Sequence, residues 1–422
     1  MDKLIIEGPN TLSGTVSISS SKNACLPILS ASILFPQKII FNELPGLSDI
    51  DFFVNILESL GAKSEGDRNR KLIDAETINN THADYDLVRK MRASVLVLGP
   101  LLSRFKEAEV SLPGGCAIGS RPVDIHLKGL EQMGAIIEID KGYIKAKTDG
   151  LKGAKLTLDF PSVGATENLM MAAVWADGET IIDNAAMEPE IVDLAHFLMQ
   201  FGTEITGAGT ASIRIKGRKL SEYKVVENNE YKIIGDRIEA ATYVIAALMT
   251  NSQVKVEHFN PLHIQSVLDV LEKMGAKFEV TSDSIQVFPS GRLKGAKVDT
   301  APFPGFPTDV QAQLMALMGI SDGLSYVREN IFENRFMHVS ELVRMGMDIE
   351  LDGSSAIIVG EDKLSSAPVM CTDLRASAAL ILAALVAEGK TEISRIYHLD
   401  RGYERLSEKL AGLGAKIQRV KA

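Results

Sequence analysis

The stretch Leu112-Pro113-Gly114-Gly115-Cys116-Ala117-Ile118-Gly119-Ser120-Arg121-Pro122 sets one thiol in a glycine-rich turn with an arginine five residues on. Glycines reach backbone angles closed to other residues and let the backbone lie against a ligand. A loop of this kind can present a thiol as a proton donor or nucleophile and close over a site. Read alone, it is equally a surface turn whose cysteine is incidental. Lys22 follows Ser20-Ser21 at the start of an apolar helical run. A cation in a first turn opposes the helix dipole, so an anion held jointly by Lys22 and the helix end would explain it. Arg92 stands just ahead of another apolar run, and Arg335, Arg375 and Arg401 occur in later polar turns. With Lys22 and Arg121 they form a cationic set suited to a small, multiply charged anion such as a phosphate ester bearing a carboxylate. Asp236, Asp309 and Asp373 each stand at a helix start, where an aspartate is ordinarily a cap. Taken alone, none of the three is a catalytic base.

These cations belong to an acidic chain. It has 422 residues, 24% charged and 45% hydrophobic, with net charge −10. That balance excludes a general nucleic-acid or membrane-surface binder. The cysteines are only three, at 25, 116 and 371, without metal-type spacing. With no apolar leader after Met1-Asp2-Lys3, they point to a reducing cytoplasm. Cys25 and Cys371 lie in apolar contexts and read as core. The runs 169–176 and 378–387 are too short to span a bilayer and read as buried helices.

A repeat must position the chemistry. Helices end in Leu-x-x-[Leu/Met/Phe]-Gly six times, closing at Gly61, Gly134, Gly202, Gly275, Gly346 and Gly414. Each glycine stands where a helix C-cap belongs. One period reads as a strand at 155–159, an apolar helix at 163–175, a strand at 180–183, an amphipathic helix at 189–201 and a closing hairpin. The fourth period repeats this order from a strand at 231–234. The unit is therefore βαβαββ, with all-apolar helices inside and one-faced sheets outside. Three units per globule predict two similar domains, 22–229 and 1–21 with 230–422, and a ligand cleft between them. The sixth unit ends one strand short at 417–420, and Lys3-Leu4-Ile5-Ile6 is a surplus strand able to complete it.

At this point Ser21-Lys22-Asn23-Ala24, the loop 113–122, Phe306-Pro307-Thr308-Asp309, Glu333-Asn334-Arg335-Phe336-Met337-His338, Asp373-Leu374-Arg375-Ala376-Ser377 and Tyr397-His398-Leu399-Asp400-Arg401-Gly402-Tyr403 resemble the UDP-N-acetylglucosamine 1-carboxyvinyltransferase family. The resemblance covers essentially the whole chain. It implies a two-domain inside-out α/β barrel and transfer of enolpyruvyl from phosphoenolpyruvate to the 3′-hydroxyl of UDP-N-acetylglucosamine, the first committed step of peptidoglycan precursor synthesis. It implies Cys116 as the acid that protonates the methylene carbon, able also to form a covalent adduct there and to be the target of fosfomycin. Asp309 becomes the base near the sugar hydroxyl. Lys22, Arg121 and Arg401 hold phosphate and carboxylate, with Asn23 orienting the ligands. Arg92, Arg121, Pro122, Val123, Asp124, Ile125, Ser162, Val163, Gly164, Asp309 and Ile331 contact the UDP-sugar, while Arg335, Asp373 and Arg375 line the cleft. No cofactor or metal is implied, and the protein is expected to act as a cytoplasmic monomer.

One departure stands out. Asp159-Phe160-Pro161 occupies a place where some family members carry a lysine for the nucleotide phosphate, so that contact is absent here or made elsewhere and Phe160 is given no site role. Two other readings remain: a 5-enolpyruvylshikimate-3-phosphate synthase-like enzyme, and a non-catalytic homologue that binds the nucleotide sugar.

Overall fold

The leucine-to-glycine spacing has a physical cause that the backbone makes plain. The helix Ser48–Ser59 closes on Gly61 at φ 104°, a region that L side chains rarely enter. The Gly61 N–H donates to the Glu58 carbonyl at 2.9 Å and the Ala62 N–H to the Leu57 carbonyl at 3.0 Å. These are the two reversed bonds of a Schellman closure. Gly134, Gly202, Gly275, Gly346 and Gly414 sit at φ 93°, 88°, 101°, 92° and 101°. Each makes the same pair of bonds, the residue after glycine donating to Leu130, Leu198, Leu271, Leu342 or Leu410. Every one of these leucines is buried. The repeat is therefore a helix stop, a core anchor and a strand start in one motif.

The computed structural model describes residues 2–83, 92–112 and 123–421. Among them are six four-stranded sheets of one design. In the third, Lys155–Thr157 runs parallel to Glu179–Asp183. Glu179–Asp183 is antiparallel to Ser212–Lys216, which also pairs with Glu204–Thr206. The helices Val163–Ala173 and Pro189–Gln200 lie between these strands in the chain, giving βαβαββ. The class is α/β with mixed sheets. The first helix of each such unit is deeply buried: every residue of Arg237–Met249 is, and so is every residue from Arg375 to Leu385 in Leu374–Val386. Strands such as Ser212–Lys216 alternate buried with exposed, leaving one face to water. The six sheets stay separate among the described residues, so no hydrogen-bonded barrel wall runs through them.

Asp2–Gly8 completes the sixth sheet, antiparallel to both Gly389–Ser394 and Ile417–Lys421. The opening of the fourth unit differs from the sequence expectation. Glu230–Lys232 pairs in parallel with Lys38–Asn42 and so finishes the first unit's sheet. Its expected place, beside Gln253–Glu257, is taken by Ser13–Ser17. Both segments are short strands leading into an apolar helix, and local pattern cannot tell which partner each takes. The described residues divide accordingly into a unit of those between 20 and 234 and a unit of 2–19 with 235–421. Among the described residues the chain passes between the units at 19–20 and 234–235.

Candidate active site

In the unit of 2–19 with 235–421, the helix Thr308–Met318 starts after Pro307, which offers no side-chain cap. Asp309 is thus the second helical residue and turns elsewhere. Its Oδ1 accepts from Arg335 Nη2 at 2.6 Å and its Oδ2 from Arg375 Nη2 at 2.9 Å. The guanidiniums are 4% and 5% exposed and the aspartate 26%. Two buried cations thus share one partly exposed carboxylate, with Asp236 a further negative charge acting on Arg375. Asp236 and Asp373 behave differently. Asp236 accepts from the N–H groups of Ile238 and Glu239, and Asp373 from those of Arg375 and Ala376, so each caps its helix.

Behind Arg375 lies a polar core of Tyr403, quoted above in its motif without a role, with Gln313 and Thr242, which the sequence did not flag. The Tyr403 ring lies under its guanidinium at 5.5 Å. Gln313 Nε2 donates to the Tyr403 hydroxyl at 3.0 Å and to the Asp309 carbonyl at 2.9 Å, and Thr242 Oγ1 lies 3.1 Å from the same hydroxyl. Burial works against the charge on Arg375, and the neighbouring Asp309 and Tyr403 outweigh it, holding its pKa above the ordinary value. Burial pushes His338 down to about 4, so it is neutral at pH 7 beside Arg335 and Asp373. Arg401 ends the turn Ile396–Arg401, half-buried. Ile331 is half-buried in the turn that leads to Arg335.

In the unit of 20–234, Ser21 caps the helix Lys22–Ala31 by accepting from the Ala24 N–H at 3.3 Å. Lys22 Nζ lies 3.4 Å from Asp49 Oδ2, with side-chain exposures of 12% and 4%. Asn23 follows, half-buried. Ser162 caps the helix Val163–Ala173. The helix Asp124–Gln132 carries Asp124 and Ile125, with Val123 just before it. These two segments meet through His126, a residue the sequence did not single out. Asn168 Oδ1 accepts from the Gly99 N–H at 2.6 Å and its Nδ2 donates to the Val95 carbonyl at 3.0 Å. Its Nδ2 therefore also faces His126 Nδ1 at 3.0 Å as a donor, which assigns the ring proton to Nε2. Burial holds His126 down to about 4. A Cβ on Gly164 would lie 3.4 Å from His126 Cε1, so the imidazole edge and this helix start share one surface. Phe160 is 43% exposed, and the cation on its segment is Lys128, whose Nζ lies 3.7 Å from Asp159.

Cys116, Arg121 and Pro122 lie outside the described residues, and Arg92 opens the turn Arg92–Val97 with its side chain outside them too. Cys25 and Cys371 are free and buried, and burial raises both thiols above their ordinary range, Cys371 to about 11. They are core, as expected. Among the described residues no helix is long and apolar enough to cross a membrane.

A family model described as EPSP synthase (3-phosphoshikimate 1-carboxyvinyltransferase) matches residues 6–410. The enolpyruvyl transferase NikO from Streptomyces tendae superposes with a TM-score of 0.89 over 100% of this chain and 99% of its own, at 24% identity. That likeness establishes the fold, and with the family match it sets the class as that of the EPSP synthases. Within that class, UDP-N-acetylglucosamine 1-carboxyvinyltransferase from Geotalea daltonii is 53% identical over 420 residues, covering 100% of both chains. The enzyme of the same name from Geobacter metallireducens is 52% identical over 421 residues, again 100% of both. The chain belongs to the UDP-N-acetylglucosamine 1-carboxyvinyltransferase family.

Proposed function

We propose that this protein transfers the enolpyruvyl group of phosphoenolpyruvate to the 3′-hydroxyl of UDP-N-acetylglucosamine and releases phosphate. The observation that carries the reading is full-length identity above one half to relatives bearing that activity's name. The Asp309–Arg335–Arg375 cluster agrees with it, being a partly exposed carboxylate set between two buried cations.

The reaction needs three things from the chain. As the sugar oxygen bonds to C2 of phosphoenolpyruvate, C3 takes a proton and becomes a methyl group. The sugar hydroxyl gives up its own proton to a base. The tetrahedral intermediate then expels phosphate from C2 while C3 loses a proton, restoring the double bond. In this reading Cys116 supplies the proton to C3 and Asp309 takes the hydroxyl proton. Lys22, Arg121 and Arg401 stabilise the phosphate and carboxylate through both steps, with Asn23 as an orienting donor. Val123, Asp124, Ile125, Ser162, Val163, Gly164 and Ile331 form the nucleotide-sugar surface, with Arg92, Arg121 and Pro122. Arg335, Asp373 and Arg375 set the charge and position of Asp309. The reading draws on residues of both units and treats the product as a peptidoglycan precursor. A cytoplasmic, monomeric protein is proposed, and the free buried Cys25 and Cys371 support a reducing compartment.

Phosphate release tests it. Pure protein with phosphoenolpyruvate is given UDP-N-acetylglucosamine in one arm and shikimate 3-phosphate in the other. Release with the nucleotide sugar alone is expected. Release with shikimate 3-phosphate alone overturns the assignment, and binding of the nucleotide sugar with no release in either arm makes the chain a non-catalytic homologue.

A further inference from the structure

We propose that Glu329 is a positioning residue for the nucleotide sugar, clamping together the turn that carries Ile331 and Arg335 and the helix start that carries Asp309. The inference rests on the function proposed above and adds to it a residue without an assigned role. Glu329 follows the strand Leu324–Arg328 and is 4% exposed. A carboxylate so deeply buried is costly unless its oxygens are fully bonded. Four donors meet it. Oε1 accepts from the Thr300 hydroxyl at 3.0 Å, the Ile331 N–H at 2.8 Å and the Phe332 N–H at 3.1 Å. Oε2 accepts from the Thr308 hydroxyl at 3.0 Å.

The four donors belong to three separate stretches of chain. Thr300 follows the strand Lys297–Asp299, Thr308 opens the helix Thr308–Met318, and Ile331 and Phe332 begin the turn toward Arg335. Asn330 fastens that turn again, its N–H donating to Thr300 Oγ1 at 2.9 Å and its side chain to the Thr300 carbonyl at 3.0 Å. Among the described residues all four bonds to Glu329 come from neutral groups, so the carboxylate serves there as a many-armed acceptor rather than half of an ion pair. Its arms end one residue from Asp309 and at the backbone of Ile331 itself. Arg335 then reaches back to Asp309. One side chain thus fixes both partners of that ion pair and the surface at Ile331 at once. Misplacement of such groups by about 1 Å costs rate or affinity out of proportion to the bonds removed.

Three variants test the clamp in steady-state assays with both substrates varied, alongside thermal melting. Glu329→Ala is expected to raise KM for UDP-N-acetylglucosamine about tenfold or more while KM for phosphoenolpyruvate moves less than about twofold. Glu329→Gln keeps one oxygen for the two N–H groups and offers its amide N–H to Thr308 Oγ1, so it should restore KM to within about threefold. Thr308→Val removes a single arm without changing shape and should raise KM for the sugar nucleotide about three- to fivefold. An unchanged KM in Glu329→Ala, or equal rises for both substrates, overturns the clamp. Should Glu329→Ala not fold, an unchanged KM in Thr308→Val overturns it instead. Wild-type protein inactive with UDP-N-acetylglucosamine overturns the proposed function, a result distinct from active wild type with unresponsive variants.

Discussion

Replacing Asp309 by asparagine keeps the shape of the side chain and removes the charge that two buried guanidiniums share. Arg335 and Arg375 approach different oxygens, at 2.6 and 2.9 Å. Asparagine has one acceptor oxygen, so one guanidinium keeps a neutral bond while the other faces amide N–H groups. Removing one partner of a buried pair costs about 3–5 kcal/mol. Because the aspartate is 26% exposed, water recovers part of that, and about 2–3 kcal/mol is expected. For a unit of about 200 residues this lowers Tm by about 5–10 °C. Calorimetric melting at pH 7 reads it directly. A second variant, Arg375→Met, closes a double-mutant cycle: in the Asp309→Asn background it should cost at least about 1 kcal/mol less than in the wild type. Turnover in Asp309→Asn should fall about 10²–10⁴-fold if Asp309 takes the sugar proton. A melting point within 1 °C of wild type, on the order of 0.3 kcal/mol, together with an additive cycle, refutes the shared-charge reasoning.

Gly275→Ala tests the helix closures. At φ 101° with nothing within 4 Å of the added Cβ, the cost is purely conformational, about 1–2 kcal/mol in urea unfolding with turnover unchanged. The buried His126 predicts a pH dependence. Its value falls from 6.5 to about 4 on folding, so the unfolded chain binds the extra proton between those values and stability is lost as pH falls through that window. The difference amounts to about 3 kcal/mol, and denaturant unfolding of His126→Gln between pH 7 and 4.5 should show a flatter profile than the wild type. Cys116→Ser should lose most turnover yet still bind UDP-N-acetylglucosamine by calorimetry. Fosfomycin should inactivate the wild type with covalent mass on Cys116, and unchanged turnover in Cys116→Ser would make the loop merely structural.

The repeat was legible because its signal is physical and local. Glycine takes the positive φ that ends each of these six helices at least cost, and a buried leucine four residues earlier anchors it, so the spacing survives in the one-dimensional record. The surplus N-terminal strand was legible by count, since the sixth unit lacked one. The exchange of Ser13–Ser17 for Glu230–Lys232 was not legible. Parallel pairing is a long-range choice, and both segments present the same short pattern. Among the three helix-start aspartates, sequence alone could not separate cap from ion partner. The distinguishing signal was present in Pro307-Thr308, which starts the helix one residue before Asp309 and puts Asp309 past the capping position. Glu329 and His126 escaped notice, and Tyr403 stood in a quoted motif without a role, because buried polar residues carry no periodic signature. An acidic residue directly after an alternating strand, as at Glu329, is the nearest thing to one.

The central claim is that C3 of phosphoenolpyruvate is protonated before phosphate leaves. Turnover with UDP-N-acetylglucosamine in deuterium oxide, followed by mass spectrometry and proton NMR of the nucleotide product, examines that step itself. Deuterium is expected in the vinylic methylene of the enolpyruvyl ether, because the transient methyl group holds one solvent-derived hydrogen when it gives one up. A product formed at full rate with no deuterium at that carbon would contradict it.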